Sequence, residues 1–225
     1  MDELMKDIDA VIFDMDGTLV DSMWVWLAVD EDYIQKYNLT EPEGFHEKME
    51  GMSYSETAQY FLEIFPELPM TLDEVMEEWH EMAHDKYVHD VPLKDGALEF
   101  LREIRARGMK TGIATSNSRE LVDDTLKALG IDGLFDSVKT SGEAGAGKPA
   151  PDVYLMVAKE LDVPAEKCLV FEDVPMGILA GKNAGMRVCA VDDTFSRPQE
   201  EKKRTLADYY IQTYDDIAGG TYEIL

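Results

Sequence analysis

The chain reads as an α/β fold, a parallel sheet with helices on both faces, interrupted once by an all-helical insert. Three observations predict it. Short, wholly apolar runs such as "AVIF" and "CLVF" alternate with segments of helical period, and strand–helix alternation builds parallel sheets. The runs lack the in–out alternation of a half-wet sheet, so both faces are covered. The stretch from about 20 to 90 breaks the alternation, with helical patterns and no convincing strand.

In chain order, "DAVIF" (9–13) is the first strand. The insert follows. "SMWVWLAVDEDYIQKYN" is a helix expected to turn Met23, Trp26, Leu27, Ile34 and Tyr37 to one side. Ser53 with Glu56, and Thr71 with Glu74, have the spacing of capping boxes opening two more helices, the first ending before Pro66. Trp24, Trp26 and the methionines here are expected in the insert's core. His80, His84 and His89 lack a further ligand pattern and read as a solvated helix face. Alternation then resumes. "GALEFLREIRARG" (96–108) puts Leu98, Leu101 and Ile104 at helical spacing, and "KTGIAT" (110–115) is a strand. Residues 118–130 form a helix opened by Ser118 and closed by Gly130. Pro151 stands where a first helical turn tolerates it. "KCLVFED" (167–173) and "RVCAV" (187–191) are strands, and "DYYIQT" (208–213) is a weaker one. The expected division is 1–20 with 91–225 as the sheet domain, and 21–90 as a helical cap domain.

With 47 acids against 21 bases, the net charge is −26. Such a surface repels nucleic acid and anionic membranes, so an anionic substrate must be drawn in locally by a metal or a few placed cations. No run approaches the ~18 apolar residues of a membrane span. The N-terminus is acidic and lacks a signal-peptide pattern, which leads to the expectation of a soluble, cytoplasmic protein. Cys168 and Cys189 sit in apolar runs and read as buried thiols. No exposed apolar stripe stands out, so a monomer is expected.

Residues able to do chemistry gather at the ends of predicted strands. Asp14 and Asp16 follow the first. Thr115, Ser116 and Asn117 follow the second. Lys148 lies in a glycine-flanked loop, with little to pack against, before a proline-started helix. Glu172 and Asp173 close the strand 167–173. In parallel sheets, ligands bind at the carboxyl ends of the strands. Taken singly, each residue has an ordinary explanation, as a helix cap or a solvated side chain; their joint placement points to one site.

"DMDGTLVDS", "ATSN", "GKPAPD" and "FEDVPMGILAGKNAG" resemble, in this order and spacing, the four signature motifs of the haloacid dehalogenase (HAD) superfamily, and the likeness spans nearly the whole chain. The resemblance implies a Rossmann-like α/β core with a small helical cap, as in the phosphatases and the β-phosphoglucomutase-like subgroup. It implies Asp14 as a nucleophile forming an aspartyl phosphate. Mg²⁺ would be held by the Asp14 side chain, the Asp16 backbone carbonyl and Asp173, with Glu172 at or just behind it. Thr115, with the amides near Ser116 and Asn117, would hold phosphate oxygens, and Lys148 would offset charge. The physical case for cations is plain: another charge brought to ~4 Å of a phosphate costs about 4 kcal/mol at an effective dielectric of 20. Mg²⁺ suits carboxylate and phosphate oxygens. Asp16 could protonate the leaving oxygen and then deprotonate the attacking water. Dehalogenases of the superfamily lack this second aspartate, so its presence favours phosphate esters. Asp21 and Ser22 read first as capping or hinge residues.

The expected activity is hydrolysis of a small phosphomonoester, sugar phosphates included. A phosphosugar mutase is the alternative, weakened because Tyr54 stands three residues after Gly51, where β-phosphoglucomutase carries an arginine. A non-catalytic phospho-ligand binding module is a third, opposed by the intact Asp14, Asp16, Lys148 and Asp173.

Overall fold

The computed structural model of the chain describes residues 3–49 and 51–225; Met1, Asp2 and Glu50, which fall within the acidic N-terminus and the insert, lie outside them. Seven strands form one sheet in the order β3-β2-β1-β4-β5-β6-β7. They are β1 Ala10–Phe13, β2 Lys110–Thr115, β3 Ser137–Thr140, β4 Cys168–Glu172, β5 Arg187–Val191, β6 Tyr209–Ile211 and β7 Glu223–Ile224. The first six are parallel, and β7 runs antiparallel on the edge. β1 lies between β2 and β4, with Phe13 level with Ile113 of β2 and Phe171 of β4. Crossovers leave β1 in opposite directions, which opens a crevice above the ends of β1, β2 and β4.

The apolar runs alternate across the two faces. Val11, Phe13, Leu169, Phe171 and Cys189 enter one core cluster, which continues into the helical insert. Ala10, Ile12, Cys168, Val170 and Val188 enter the other. The two cysteines therefore lie on opposite faces of the sheet, buried and free. Below the crevice, Phe13 stacks on Phe171 at 5.3 Å, and Phe100 meets both.

Among the described residues the insert contributes four helices: α1 Met23–Tyr37, α2 Phe45–Met49, α3 Tyr54–Ile64 and α4 Leu72–His89. Both capping boxes form as the sequence predicts. The α1 face forms in part, with Trp26, Ile34 and Tyr37 packed partly buried against the core. Val25, Val29 and Tyr33 are its buried residues, a stripe at i, i+4 and i+8. Met23 and Leu27 instead line a cavity. Trp24 is 40% exposed, with its indole donating to the Asp21 carbonyl; Trp79 is buried in the insert's core and Trp26, partly buried, packs against it.

The remaining helices are α5 Ala97–Ala106, α6 Arg119–Ala128, α7 Ser141–Ala144, α8 Asp152–Leu161, α9 Pro175–Asn183, α10 Glu200–Leu206 and α11 Asp215–Gly219. The sequence predicts neither β3 nor β7. β3 carries one apolar residue in four (SVKT) and β7 has only two residues, so neither has a pattern of its own and each exists by pairing with a neighbour. The chain enters and leaves the insert side by side. Asp21 N–H donates to Pro92 O and Lys94 N–H to Leu19 O, both at 3.0 Å, and Val20 bridges Leu93 antiparallel.

Candidate active site

Asp14 stands one residue past β1, its N–H bonded to Phe171 O at 3.0 Å, which aims its side chain into the crevice. Lys148 reaches it from the loop before α8. Its Nζ lies 2.6 Å from Asp14 Oδ1 and 2.5 Å from Glu172 Oε1, over the Tyr154 ring. Lys148 is 6% exposed. The expectation of a loop lysine with little to pack against is therefore corrected: the ion pairs and Tyr154 enclose it. Burial works against its charge, but the Asp14 and Glu172 carboxylates outweigh burial and hold its pKa above the ordinary lysine value.

Glu172 spends both oxygens. Oε1 accepts from Lys148 and from Tyr154 Oη at 2.9 Å, and Oε2 from the N–H groups of Asp173 and Val174 at 3.0 and 3.2 Å. Asp173 differs. Thr18 Oγ1 donates to its Oδ1 at 2.9 Å, whereas Oδ2 is buried with no hydrogen-bond partner. Burial pushes Asp173 well above the usual carboxylate range, with Glu172 and Asp14 adding to the rise. Burial also raises Asp14 to about 7, against the pull of Lys148. Oxygens of Asp14, Glu172 and Asp173 lie within 4.8 Å of one another. An orphaned, buried carboxylate oxygen beside two more carboxylates is the donor set of a hard divalent cation. These residues could hold Mg²⁺.

Gly17 keeps this set compact. Its φ is +76°, and a Cβ there would stand 2.5 Å from Asp173 Oδ2, so a side chain would be strained and would crowd the same oxygen.

The Asp16 carboxylate has partners of its own. It accepts from Ser22 Oγ at 2.6 Å and from Tyr87 Oη through Oδ1, and from Asn117 Nδ2 at 3.0 Å through Oδ2. Ser22 precedes α1 without a side-chain capping bond; its hydroxyl serves Asp16 instead of the helix, which corrects the reading of it as a cap. Thr115 Oγ1 accepts from the Asn117 N–H at 3.1 Å, and Ser116 Oγ is 3.4 Å from Ser141 Oγ. All three residues of the 115–117 stretch line the cavity, with Asp14, Asp16, Lys148, Glu172 and Asp173. The structure thus brings every site residue predicted from the sequence to one place.

The family model for haloacid dehalogenase-like hydrolases matches residues 11–191. The chain belongs to that family. It is 31% identical over 204 residues to the probable pseudouridine-5′-phosphatase of Drosophila melanogaster, covering 85% of this chain and 84% of that protein. It is 30% identical over 179 residues to the phosphorylated carbohydrates phosphatase of Thermotoga maritima, covering 80% and 82%. The crystal structure of CbbY from Rhodobacter sphaeroides in complex with phosphate superposes with a TM-score of 0.82 over 93% of this chain and 96% of that one, at 22% identity, a likeness of fold.

In this HAD-like hydrolase the insert makes contacts with the elements around the sheet. Tyr54 N–H donates to Ser116 O at 2.9 Å, and His84 Nε2 lies 3.3 Å from Asp124 of α6. Gly51 has φ +85°, and a Cβ there would stand 2.4 Å from Lys148 O; only glycine lets the insert's loop lie on the loop that carries Lys148. The cavity measures about 680 Å³. Reading the sequence misses Tyr87 as a site residue. It completes the stripe Val75, Trp79, Ala83, Tyr87 of α4, which reads as core, and nothing in that pattern shows where its hydroxyl goes.

Proposed function

We propose that this protein is a Mg²⁺-dependent phosphatase that hydrolyses small phosphomonoesters through an aspartyl phosphate on Asp14. The observation that carries the reading is the meeting of Asp14, Lys148 and the orphaned Asp173 oxygen at one crevice, with Asp16 held beside them. The names of the curated relatives, phosphatases of small phosphorylated compounds, support it.

Asp14 attacks phosphorus, and the P–O bond to the substrate's alcohol breaks. Lys148 fixes one Asp14 oxygen and offsets its charge, while Glu172 and Tyr154 fix Lys148. Mg²⁺, held by Asp14, Asp173 and the Asp16 carbonyl, would neutralise phosphate charge and align the ester. Thr115 and the backbone of 115–117 lie where phosphate oxygens need donors. Asp16 gives the leaving oxygen its proton, then takes one from the water that cleaves the acyl phosphate and frees inorganic phosphate and Asp14. In the structure Asp16 accepts from Ser22, Tyr87 and Asn117, so it must turn from one of them to donate. Ser22 and Tyr87 flank the two ends of the insert, at α1 and α4, so seating of the insert as a cap domain sets Asp16 in place and excludes water. The paired linkers at 19–21 and 92–94 are the hinge.

A phosphosugar mutase is not favoured. Tyr54 supplies no cation: its hydroxyl donates to Met76 O at 2.9 Å, and its ring packs on Trp26 and Trp79. The test is phosphate release from an aryl phosphate, with Mg²⁺, with chelator and with excess Ca²⁺. Turnover is expected with Mg²⁺ alone, because Ca²⁺ coordinates more loosely and misplaces the nucleophile. Full activity in chelator would overturn the reading.

A further inference from the structure

The cavity is far larger than a phosphate needs. Its 680 Å³ lies within the range of about 300–1,000 Å³ that encloses drug-sized ligands. Its lining is rich in apolar side chains, Met23, Trp26, Met49, Met52 and Trp79 from the insert and Phe195 from the loop after β5. Thioethers and indoles favour flat, polarizable bodies.

The same wall is poor in cations. Among the described lining residues, Lys148 is committed to Asp14 and Glu172, and Lys202 is exposed; no arginine lines the cavity. A second phosphate calls for a cluster of cations. An acid stands there instead. Asp30 of α1 lines the cavity with its side chain only 17% exposed, 3.5 Å from His46 Nδ1, and His46 Nε2 lies 3.6 Å from Glu41. Burial raises the Asp30 carboxyl to about 6, with Glu41 adding and His46 opposing. Holding a carboxylate in that wall costs stability, and it repels anions while attracting N–H donors. The Trp79 Nε1–H is buried and has no hydrogen-bond partner, a donor that a ligand carbonyl or ring nitrogen would satisfy. A hexose presents hydroxyls around its whole rim, and a wall of methionine and tryptophan leaves most of them unpaired.

We propose, resting on the phosphatase reading, that the insert selects a heteroaromatic phosphomonoester, its ring against Trp26 and the methionines and an N–H donor of the ring on Asp30, and excludes compounds with a second phosphate. Asp30 is the specificity residue.

The experiment measures kcat/KM with Mg²⁺ for an aryl phosphate, cytidine and adenosine 5′-monophosphates, glycerol phosphate, glucose 6-phosphate and fructose 1,6-bisphosphate. The amine-bearing heteroaromatic monophosphates are expected to lead by about ten- to a hundredfold, the worth of one hydrogen bond to a charged group. In Asp30→Leu the ratio of heteroaromatic monophosphate to glycerol phosphate should collapse, through KM more than kcat, and Asp30→Asn, which keeps an acceptor, should restore part of it. A melting curve confirms that both variants fold. Turnover of the aryl phosphate with glucose 6-phosphate or the bisphosphate in the lead, or a ratio unmoved in Asp30→Leu, overturns this inference alone. No turnover of any ester overturns the phosphatase reading beneath it.

Discussion

Replacing Lys148 with methionine keeps the length of the side chain and removes its charge. In the structure that charge lies 2.6 Å from Asp14 and 2.5 Å from Glu172, with all three side chains buried. At an effective dielectric of 20 each pair is worth about 6 kcal/mol of Coulomb energy. Desolvation offsets most of this, and deleting one partner of a buried pair leaves a net loss of about 3–5 kcal/mol. The loss should be largest in chelator, where Asp14, Glu172 and Asp173 have no other cation beside them, and smaller with saturating Mg²⁺. Turnover should fall by ~10²–10³, the usual effect of removing one preorganised charge-stabilising donor. Denaturant unfolding with and without Mg²⁺ reads the stability, and phosphate release reads the activity. A variant as stable as the parent in chelator would refute the ion-pair argument. Normal turnover would refute the role in charge neutralisation.

The paired aspartates separate by chemistry. Asp14→Asn should abolish turnover, since an amide forms no acyl phosphate, whereas Asp16→Asn should slow it by ~10²–10⁴ and still trap phosphoenzyme from an aryl phosphate, whose leaving group needs no proton; rapid-quench labelling of the Asp14 variant would contradict the assignment. Tyr87→Phe removes the hydroxyl on Asp16 and should cost about 1.5–3 kcal/mol of stability with a lower kcat, measured by unfolding and steady-state rates; unchanged values of both would mean that the contact does nothing. Asp30 should leave a signature in pH. Its folded pKa of about 6 exceeds the ordinary 3.8, so the folded state binds its proton more tightly, and its contribution, full below pH ~4, is lost as pH rises through about 6. Asp30→Asn should therefore flatten the stability profile over that window and be more stable above it, by up to about 3 kcal/mol; parallel profiles would show that His46 already balances the charge.

The sequence by itself determined the elements with patterns of their own. The apolar runs of β1, β2, β4 and β5 have no stable place except inside a sheet covered on both faces, and the capping boxes at Ser53 and Thr71 are local chemistry. The order and spacing of the motifs put Asp14, Thr115 and Asp173 at strand ends and Lys148 in the loop before a helix, and strand ends in a parallel sheet meet along one edge. What depends on contacts between distant segments was decided by the tertiary structure. β3 and β7 are strands because neighbours offer unpaired backbone. Val25, Val29 and Tyr33, and not Met23 and Leu27, became the buried face of α1, because helical spacing fixes which residues share a face while only the packing partners fix which face is inward. Lys148 lies in a loop, where sequence reads exposure, yet Asp14, Glu172 and Tyr154 arrive from three other elements and bury it. Ser22 and Tyr87 meet on Asp16 across 65 residues of insert, and Asp30 meets the cavity only because the insert sits above the sheet. A hydroxyl or carboxyl in a helix has the same local energetics whatever it faces, so its partner is set by the three-dimensional packing alone.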